Sequence, residues 1–124
     1  MREIFVFGSN RKGRHGAGSA FAAFQEHGAK WGIGEGLCGN SYAIPTKNEH
    51  IQTLYLKDIS IHVERFLDFA EAHQDMKFNI VAIGCGLAGY TPEQIAPLFR
   101  NAPSNCVLPP GFKKVLAKEV ENVG

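Results

Sequence analysis

The chain has 124 residues, of which 44% are hydrophobic and 20% are charged, a composition typical of one globular domain with a buried core. Its 13 basic and 12 acidic residues leave a formal charge of +1, which gives no global field for attracting a nucleic-acid backbone or an anionic membrane. We therefore expect a single domain over residues 1–124, with no membrane association and no strong nucleic-acid affinity from charge. A local anion site is compatible with this balance.

The cysteines and the start of the chain indicate a reduced, cytoplasmic protein. The chain has an odd number of cysteines without C-x-x-C spacing: Cys38, Cys85 and Cys106. The first residues, MREIFVFGSN, lack the pattern of a signal peptide. No apolar run approaches the roughly 20 residues that span a bilayer. The histidines and cysteines show no metal-ligand spacing, so we expect neither a metal nor a cofactor.

The first third of the chain reads as a strand, a glycine-rich loop and a helix. Residues 4–7 form a short apolar run that predicts a buried, central strand. After the loop GSNRKGRHGAG, apolar residues recur at helical spacing until Gly28, which predicts a helix packed through its small side chains. These residues are Ala17, Ala20, Phe21 and Phe24. We expect the phenylalanines of the helices and Trp31 to belong to the core.

Alternating strands and helices continue through the rest of the chain. Residues 41–44 predict a strand that ends at Pro45, residues 58–73 predict an amphipathic helix, and residues 78–83 predict a second buried strand. A last strand is expected over residues 105–108, followed by a tail in which a helix is only weakly indicated. This alternation is typical of an α/β sandwich.

The segment TPEQIAPLF predicts a helix that starts directly after the second glycine-rich loop. Thr91 is suited to cap it, Pro92 fits the first helical position, and Gln94 completes a capping-box pattern. Pro97 is expected to kink or shorten this helix because it lacks a backbone N–H group.

Two glycine-rich loops, each between a strand and a helix, predict one shared ligand site. In such sheets ligands bind at the carboxyl ends of the strands. Glycines at positions 13, 16 and 18 would let the backbone approach a ligand, and the next helix start offers N–H groups suited to phosphate. The loop GCGLAGY repeats this arrangement, so we expect a diphosphate or a similar anion. The first loop matches neither the P-loop nor the G-x-G-x-x-G pattern, and structural turns are the alternative.

The motifs HGAGSAFAAFQEHGAK, GNSYAIPTK and IGCGLAGYTPEQIAPLF, in this order, resemble the macrodomain superfamily. The nearest branch is that of the terminal ADP-ribose glycohydrolases, which includes DNA de-ADP-ribosylating antitoxins. The short chain and the motif FVFGSN also resemble small phage-encoded macro-like proteins. The resemblance covers about residues 4–108, and IGCGL is its most specific element.

This resemblance implies a macrodomain-like three-layer α/β/α sandwich with a mixed or mostly parallel sheet. Its partner would be an ADP-ribose-like small molecule or an ADP-ribosylated macromolecule. The first loop would face the distal ribose and the diphosphate, and the second would wrap the diphosphate with backbone amides. The implied ligand-binding residues are Gly8, Ser9, Asn10, His15, Gly16, Ala17, Gly18, Thr46, Gly84, Cys85, Gly86, Leu87, Ala88, Gly89 and Tyr90.

The resemblance also makes Lys47 the catalytic candidate, because the lysine of the T-K pair in that branch attacks the anomeric carbon of the sugar. An amine can form such an adduct when its pKa is lowered by its surroundings. The branch places a partner acid directly after GCGL, where this chain has Ala88. Tyr90 would pack against a ribose or a base.

Four of these residues also have ordinary interpretations. Lys47 lies in a polar loop and is by default solvated, and a loop histidine such as His15 is more often exposed than functional. Asn10 either contacts a ribose hydroxyl or satisfies the backbone of a turn. Cys85 lies between two glycines at a helix start, a setting that can lower the pKa of a thiol, but no base for it is evident.

The motifs and the resemblance therefore give three alternative hypotheses of function. The first is binding of ADP-ribose or a derived nucleotide, with hydrolysis of an ADP-ribosyl linkage. The second is a non-catalytic sensor or sequestering protein for such a nucleotide, which Ala88 favours. The third is an unrelated Rossmann-like nucleotide binder, suggested by FVFGSN and the glycines after it.

Overall fold

The computed structural model describes the backbone of residues 1–123 and the side chains of residues 1–120. Its five strands are β1 (Arg2–Asn10), β2 (Gly36–Cys38), β3 (Ser41–Lys47), β4 (Met76–Ile80) and β5 (Cys106–Val107). Its helices are α1 (Gly18–Glu26), α2 (Leu56–Ala72), α3 (Pro92–Ile95), a 3₁₀ helix over Ala96–Phe99, and α4 (Pro110–Val123). No helix within residues 1–123 is both long enough and apolar enough to span a membrane.

The five strands form one mixed sheet in the order β2-β3-β1-β4-β5. Strand β1 lies in the centre and is parallel to both β3 and β4; β5 is parallel to β4, and β2 is antiparallel to β3. The predicted central position of the first strand is thus confirmed. Because the parallel strands end at the same edge, the loops after β1, β3 and β4 converge there.

Helices cover both faces of the sheet, which gives the predicted three-layer α/β/α fold. The side chains of β1 alternate between the faces, as a strand requires. Ile4 and Val6 belong to the large core shared with α2, α3 and α4, whereas Phe7 belongs to a smaller cluster with the alanines of α1. The α1 layer is therefore thin, and the opposite layer holds most of the core.

Helix α1 packs through alanines, and its phenylalanines lie at the surface. Ala20 and Ala23 are buried, while Phe21 and Phe24 are each 42% exposed. Trp31 is 56% exposed and meets the Phe24 ring edge-on at 5.8 Å. The prediction that these aromatic residues belong to the core is wrong, because a helix that approaches the sheet through alanines leaves no space for large rings beneath it.

The other predicted elements are present, with shifts at their ends. Helix α2 matches the amphipathic prediction, and the weakly indicated tail helix is α4. Strand β3 continues through Pro45 to Lys47, contrary to the prediction that Pro45 ends it. The register shifts here: Ser9 pairs with Pro45 and Asn10 with Lys47, which leaves Thr46 as an extra residue. Strands tolerate proline at such irregularities.

The short helix after the second loop has the predicted start and end. Thr91 and Gln94 form a capping box, with the Thr91 N–H donating to Oε1 of Gln94 at 2.9 Å. The α-helical part ends at Ile95 and continues as the 3₁₀ helix that contains Pro97. This agrees with the expected shortening by Pro97.

Candidate functional site

A cavity of about 640 Å³ opens at the carboxyl ends of β1 and β3, beside the segment that follows β4. It lies between the start of α1 and residues 84–88, so both glycine-rich loops border the same space. The sequence-predicted residues that line it are Gly8, Ser9, Asn10, Gly16, Ala17, Gly18, Thr46, Lys47, Gly84, Gly86, Leu87 and Ala88. One shared site at this edge of the sheet is what the two loops predicted.

The start of α1 presents unsatisfied backbone donors to this cavity. The N-cap residue Ala17 is extended and has no side-chain acceptor, and the first turn contains no acidic residue. Within the described residues, the N–H groups of Gly18 and Ser19 donate to no protein atom, and both residues line the cavity. An uncapped helix start carries positive partial charge, so it is suited to an anion.

The second loop presents a further set of free amides. In the part of the chain that is described, the N–H groups of Gly84, Gly86, Leu87 and Ala88 donate to no protein acceptor. The loop is held in shape by Gly89, whose N–H donates to the Gly86 carbonyl at 3.0 Å. Successive free amides in a turn form a concave binding surface for anions.

The first loop is a tight turn that is held by Asn10. Its Nδ2 donates to the carbonyl of Arg14 at 2.8 Å, and the Arg14 N–H donates to its Oδ1 at 3.0 Å. The Asn10 side chain therefore satisfies the turn, and because Asn10 also lines the cavity, a contact with a ribose hydroxyl stays a prediction. This turn places Arg14 at the cavity.

The glycines of the first loop serve two different purposes. Gly13 has φ +74°, and a Cβ atom there would lie 2.3 Å from the backbone of Gly32, so packing within the chain requires a glycine. Gly16 and Gly18 line the cavity and have no such clash. Of the three glycines predicted to approach a ligand, Gly13 therefore does not reach the site.

The charged side chains that line the cavity are both cations. Arg14 is exposed and Lys47 is half-buried, and no Asp, Glu or His among the described residues lines the cavity with them. The cavity therefore favours an anion over a cation. No group of three His, Cys, Asp or Glu residues within the described chain could hold a metal ion.

His15 does not reach the cavity, although it follows Arg14 directly. It is fully buried, and its Nε2 lies 2.9 Å from the Lys30 carbonyl and 3.1 Å from that of Ile33, so Nε2 carries the proton and donates to both. Its ring also meets Phe7 edge-on at 5.5 Å. His15 holds the loop against residues 30–33; it is buried, contrary to the exposed alternative, and it does not line the cavity.

Three other predicted residues of the second loop also do not line the cavity: Cys85, Gly89 and Tyr90. The Tyr90 hydroxyl donates to the Leu54 carbonyl at 2.5 Å, so this side chain ties the loop to the segment before α2. Burial, followed by the charge of Glu93, raises the pKa of the Cys85 thiol. The helix-start setting that can lower a thiol pKa does not do so here, because desolvation and a neighbouring carboxylate both disfavour the thiolate.

The cavity also includes residues that the sequence did not single out. They are Arg14, Ser19, Ala20, Ile51, Val81, Ala82 and Ile83. Arg14 lies within the first glycine-rich loop, and its position there could have indicated that it lines the cavity. Val81, Ala82 and Ile83 were assigned to a strand, but β4 ends at Ile80, so they form the cavity wall instead.

Comparisons of the chain with protein-family models, with curated proteins and with solved structures found no match. A functional assignment therefore rests on the geometry of the cavity and on the motifs of the sequence.

Proposed function

We propose that this protein binds ADP-ribose or an ADP-ribose-derived nucleotide in the cavity at the carboxyl edge of its sheet. One observation carries the proposal: the uncapped start of α1 and the free amides of residues 84–88 border the same cavity, together with the cations Arg14 and Lys47. Two sets of N–H donors on separate loops suit an extended anion such as a diphosphate.

The size and lining of the cavity support a nucleotide. Its volume of about 640 Å³ lies within the range of roughly 300–1,000 Å³ typical of small-molecule sites. Apolar side chains, among them Val81, Ile83 and Leu87, supply much of the wall, while the backbone amides supply polar contacts. An apolar wall with a few directed donors suits a ligand that carries sugar and base as well as phosphate.

The resemblance to macrodomains supports ADP-ribose over other nucleotides. It assigns the diphosphate to the loop containing GCGL, and the free amides of Gly86, Leu87 and Ala88 belong to that loop. It assigns the distal ribose to the first loop, where Gly16 and Gly18 line the cavity. A Rossmann-like nucleotide binder would favour AMP or NAD over ADP-ribose, so the relative affinities for these ligands distinguish it from a macrodomain-like protein.

Binding without turnover is the better-supported form of this function. Hydrolysis would require the uncharged Nζ of Lys47 to attack the anomeric carbon as the bond to the leaving group breaks. The leaving group would take up a proton, and water would later release the sugar. No carboxylate or imidazole among the described residues lines the cavity to move these protons. A nucleotide sensor or a sequestering protein needs no such group.

Hydrolysis of an ADP-ribosyl linkage is a second candidate because Lys47 does line the cavity. An assay that follows release of ADP-ribose from ADP-ribosylated protein or DNA separates the two functions. Release that is lost in Lys47→Ala would support an enzyme, and binding without release would support a sensor.

A calorimetric titration with ADP-ribose tests the shared part of both functions, with AMP and NAD as comparison ligands. The proposal predicts saturable binding of ADP-ribose with a Kd below about 100 μM, or about −5.5 kcal/mol, and weaker binding of AMP. Absence of heat with ADP-ribose but saturation with AMP or NAD would favour the Rossmann-like alternative.

A further inference from the structure

Outside the cavity, the buried residue His62 links Glu35 to Arg11, which is the first residue after β1. His62 on α2 is 6% exposed. Its Nδ1 lies 2.7 Å from Oε2 of Glu35, and its Nε2 lies 3.3 Å from Nη2 of Arg11. None of the three lines the cavity, so the proposed binding function leaves this cluster unexplained.

The partners of His62 fix its protonation state in this arrangement. A guanidinium group can only donate hydrogen bonds, so Nε2 of His62 must accept from Arg11. Nδ1 then carries the single ring proton and donates to Glu35. A second proton would go to Nε2, so that the imidazolium of His62 and the guanidinium of Arg11, both donors and both positively charged, would face each other.

The surrounding charges determine which contact a second proton would break. Glu35 also accepts from Nη1 of Arg65 at 3.1 Å, and it faces Tyr42, whose pKa is raised to about 12 by burial and then by this carboxylate. Tyr42 is therefore neutral at physiological pH. Protonated His62 would keep its donation from Nδ1 to Glu35, so its contact with Arg11 is the one that must be lost.

On α2 itself, Asp58 lies one turn before His62, where residues four apart share a helix face. It is a further negative charge on the helix that carries His62. The charges around His62 are therefore of both signs: Glu35 and Asp58 are acidic, and Arg11 and Arg65 are basic.

Arg11 is joined to the cavity through its backbone on both sides. Its N–H donates to the carbonyl of Lys47 at 2.9 Å, and it follows Asn10, whose side chain holds Arg14 in the turn. The next residues of the same turn are fixed by Gly13, whose carbonyl accepts from Gly32 at 2.8 Å. The backbone of Arg11 is therefore connected to Arg14 and Lys47, the two cations of the cavity.

We propose that His62 is a positioning residue, which through Arg11 holds the first loop in its binding arrangement only while its imidazole is neutral. Protonation of His62 is then expected to weaken ADP-ribose binding. This inference rests on the proposed function for its ligand, but the contact between His62 and Arg11 exists without one.

The test is a calorimetric titration of ADP-ribose between about pH 8 and pH 5.5. The diphosphate diester of ADP-ribose keeps its charge over this range, so a change in affinity reports on the protein. Wild type is expected to lose affinity by at least about fivefold at the acidic end. In His62→Gln the amide can accept from Arg11 and donate to Glu35 but cannot gain a proton, so affinity should change by less than about twofold.

His73→Gln is the matched control, because His73 lies at the far end of α2 and its Nδ1 contacts the Phe69 carbonyl. It should keep the wild-type pH dependence. Equal pH profiles in wild type and His62→Gln would overturn the proposal.

A second variant covers the case in which His62→Gln does not fold. Arg11→Met removes an exposed side chain, and it should abolish the pH dependence because the cation that contacts Nε2 of His62 is gone. A wild-type profile in Arg11→Met would contradict the role of this contact.

A ligand-free measurement separates this inference from the proposed function. The amide NMR signals of residues 11–18 should shift with pH in wild type and stay constant in Arg11→Met. If ADP-ribose does not bind at about pH 8, the proposed function fails, and these signals alone decide the role of His62. If the amide signals of residues 11–18 shift equally with pH in wild type and Arg11→Met, the proposed role of His62 is overturned.

Discussion

Gly84 packs directly against Ile95: a Cβ atom at Gly84 would lie 2.9 Å from Cδ1 of Ile95, and its φ of +77° disfavours any other residue. Gly86, two residues later, is different. A Cβ atom there would meet nothing within 4 Å, and its φ lies outside the left-handed region. Gly84 therefore serves the packing of the loop on α3, whereas Gly86 is free of any demand from the fold.

Gly86→Val is expected to impair binding but not folding. The added side chain enters open space at the cavity, where the ligand is proposed to approach the backbone, so the affinity for ADP-ribose should fall by at least tenfold, about 1.4 kcal/mol. Calorimetry measures this loss, and denaturant unfolding should show a stability within about 0.5 kcal/mol of wild type. Gly111→Val on α4 is the matched control, because Gly111 is also exposed and unstrained. Unchanged affinity in Gly86→Val would place the ligand elsewhere.

Ala17→Asp is expected to stabilise the protein while weakening the binding of an anion. Ala17 has the extended conformation of an N-cap but no capping oxygen, and a capping side chain there should add roughly 0.5–2 kcal/mol of stability. The same carboxylate would occupy the free N–H groups and repel a phosphate. Ala17→Asn, which caps without charge, separates these effects and should lose less affinity. Thermal unfolding and calorimetry measure the two quantities, and full affinity in Ala17→Asp would rule out an anion at the start of α1.

Lys47→Ala removes one of the two cations of the cavity. We expect the affinity for ADP-ribose to fall by no more than about tenfold and to become less sensitive to salt. Any release of ADP-ribose from a modified substrate should disappear, because no other candidate nucleophile was assigned. Lys57→Ala, on the exposed surface of α2, is the control and should behave as wild type. Turnover that survives in Lys47→Ala would remove this lysine from the chemistry.

The stability of the protein should fall at alkaline pH because of Tyr42. Burial raises its pKa from 10.0 to about 12, so between these values the unfolded chain loses the tyrosine proton while the folded chain keeps it. The stability linked to Tyr42 is therefore complete below pH 10 and is lost as the pH rises toward 12. Urea unfolding of wild type and Tyr42→Phe at a series of alkaline pH values measures this difference. Parallel declines in both proteins would contradict it.

The fold was largely predictable because its signals are local. Apolar runs predicted the buried strands, a 3.6-residue period predicted α2, and Thr91, Pro92 and Gln94 predicted the start of α3. The errors depended on neighbours that the sequence does not reveal. Pro45 remains in β3 because the register shifts opposite it, and Phe24 is exposed because the alanines of α1 fill the narrow space above the sheet.

The site was predictable at the level of loops but not of all side chains. The glycine pattern identified both loops that border the cavity, since glycine is favoured where the backbone adopts a positive φ or makes a close approach. It could not separate Gly13, which packs on Gly32, from Gly16, which lines the cavity. Nor could it reveal that His15 is buried beneath the loop, or that His62 from a distant helix contacts Arg11.

The most direct test of the central claim is an NMR titration of the ¹⁵N-labelled protein with ADP-ribose, which reports the ligand and its position together. Binding as proposed should shift the amide signals of residues 16–20 and 84–88 together, because these amides border the same cavity. The amides of α4 (Pro110–Val123) should stay constant, because none of its described residues lines the cavity. If ADP-ribose shifts amide signals elsewhere but none in the two glycine-rich loops, or shifts no signals at all, the account is contradicted.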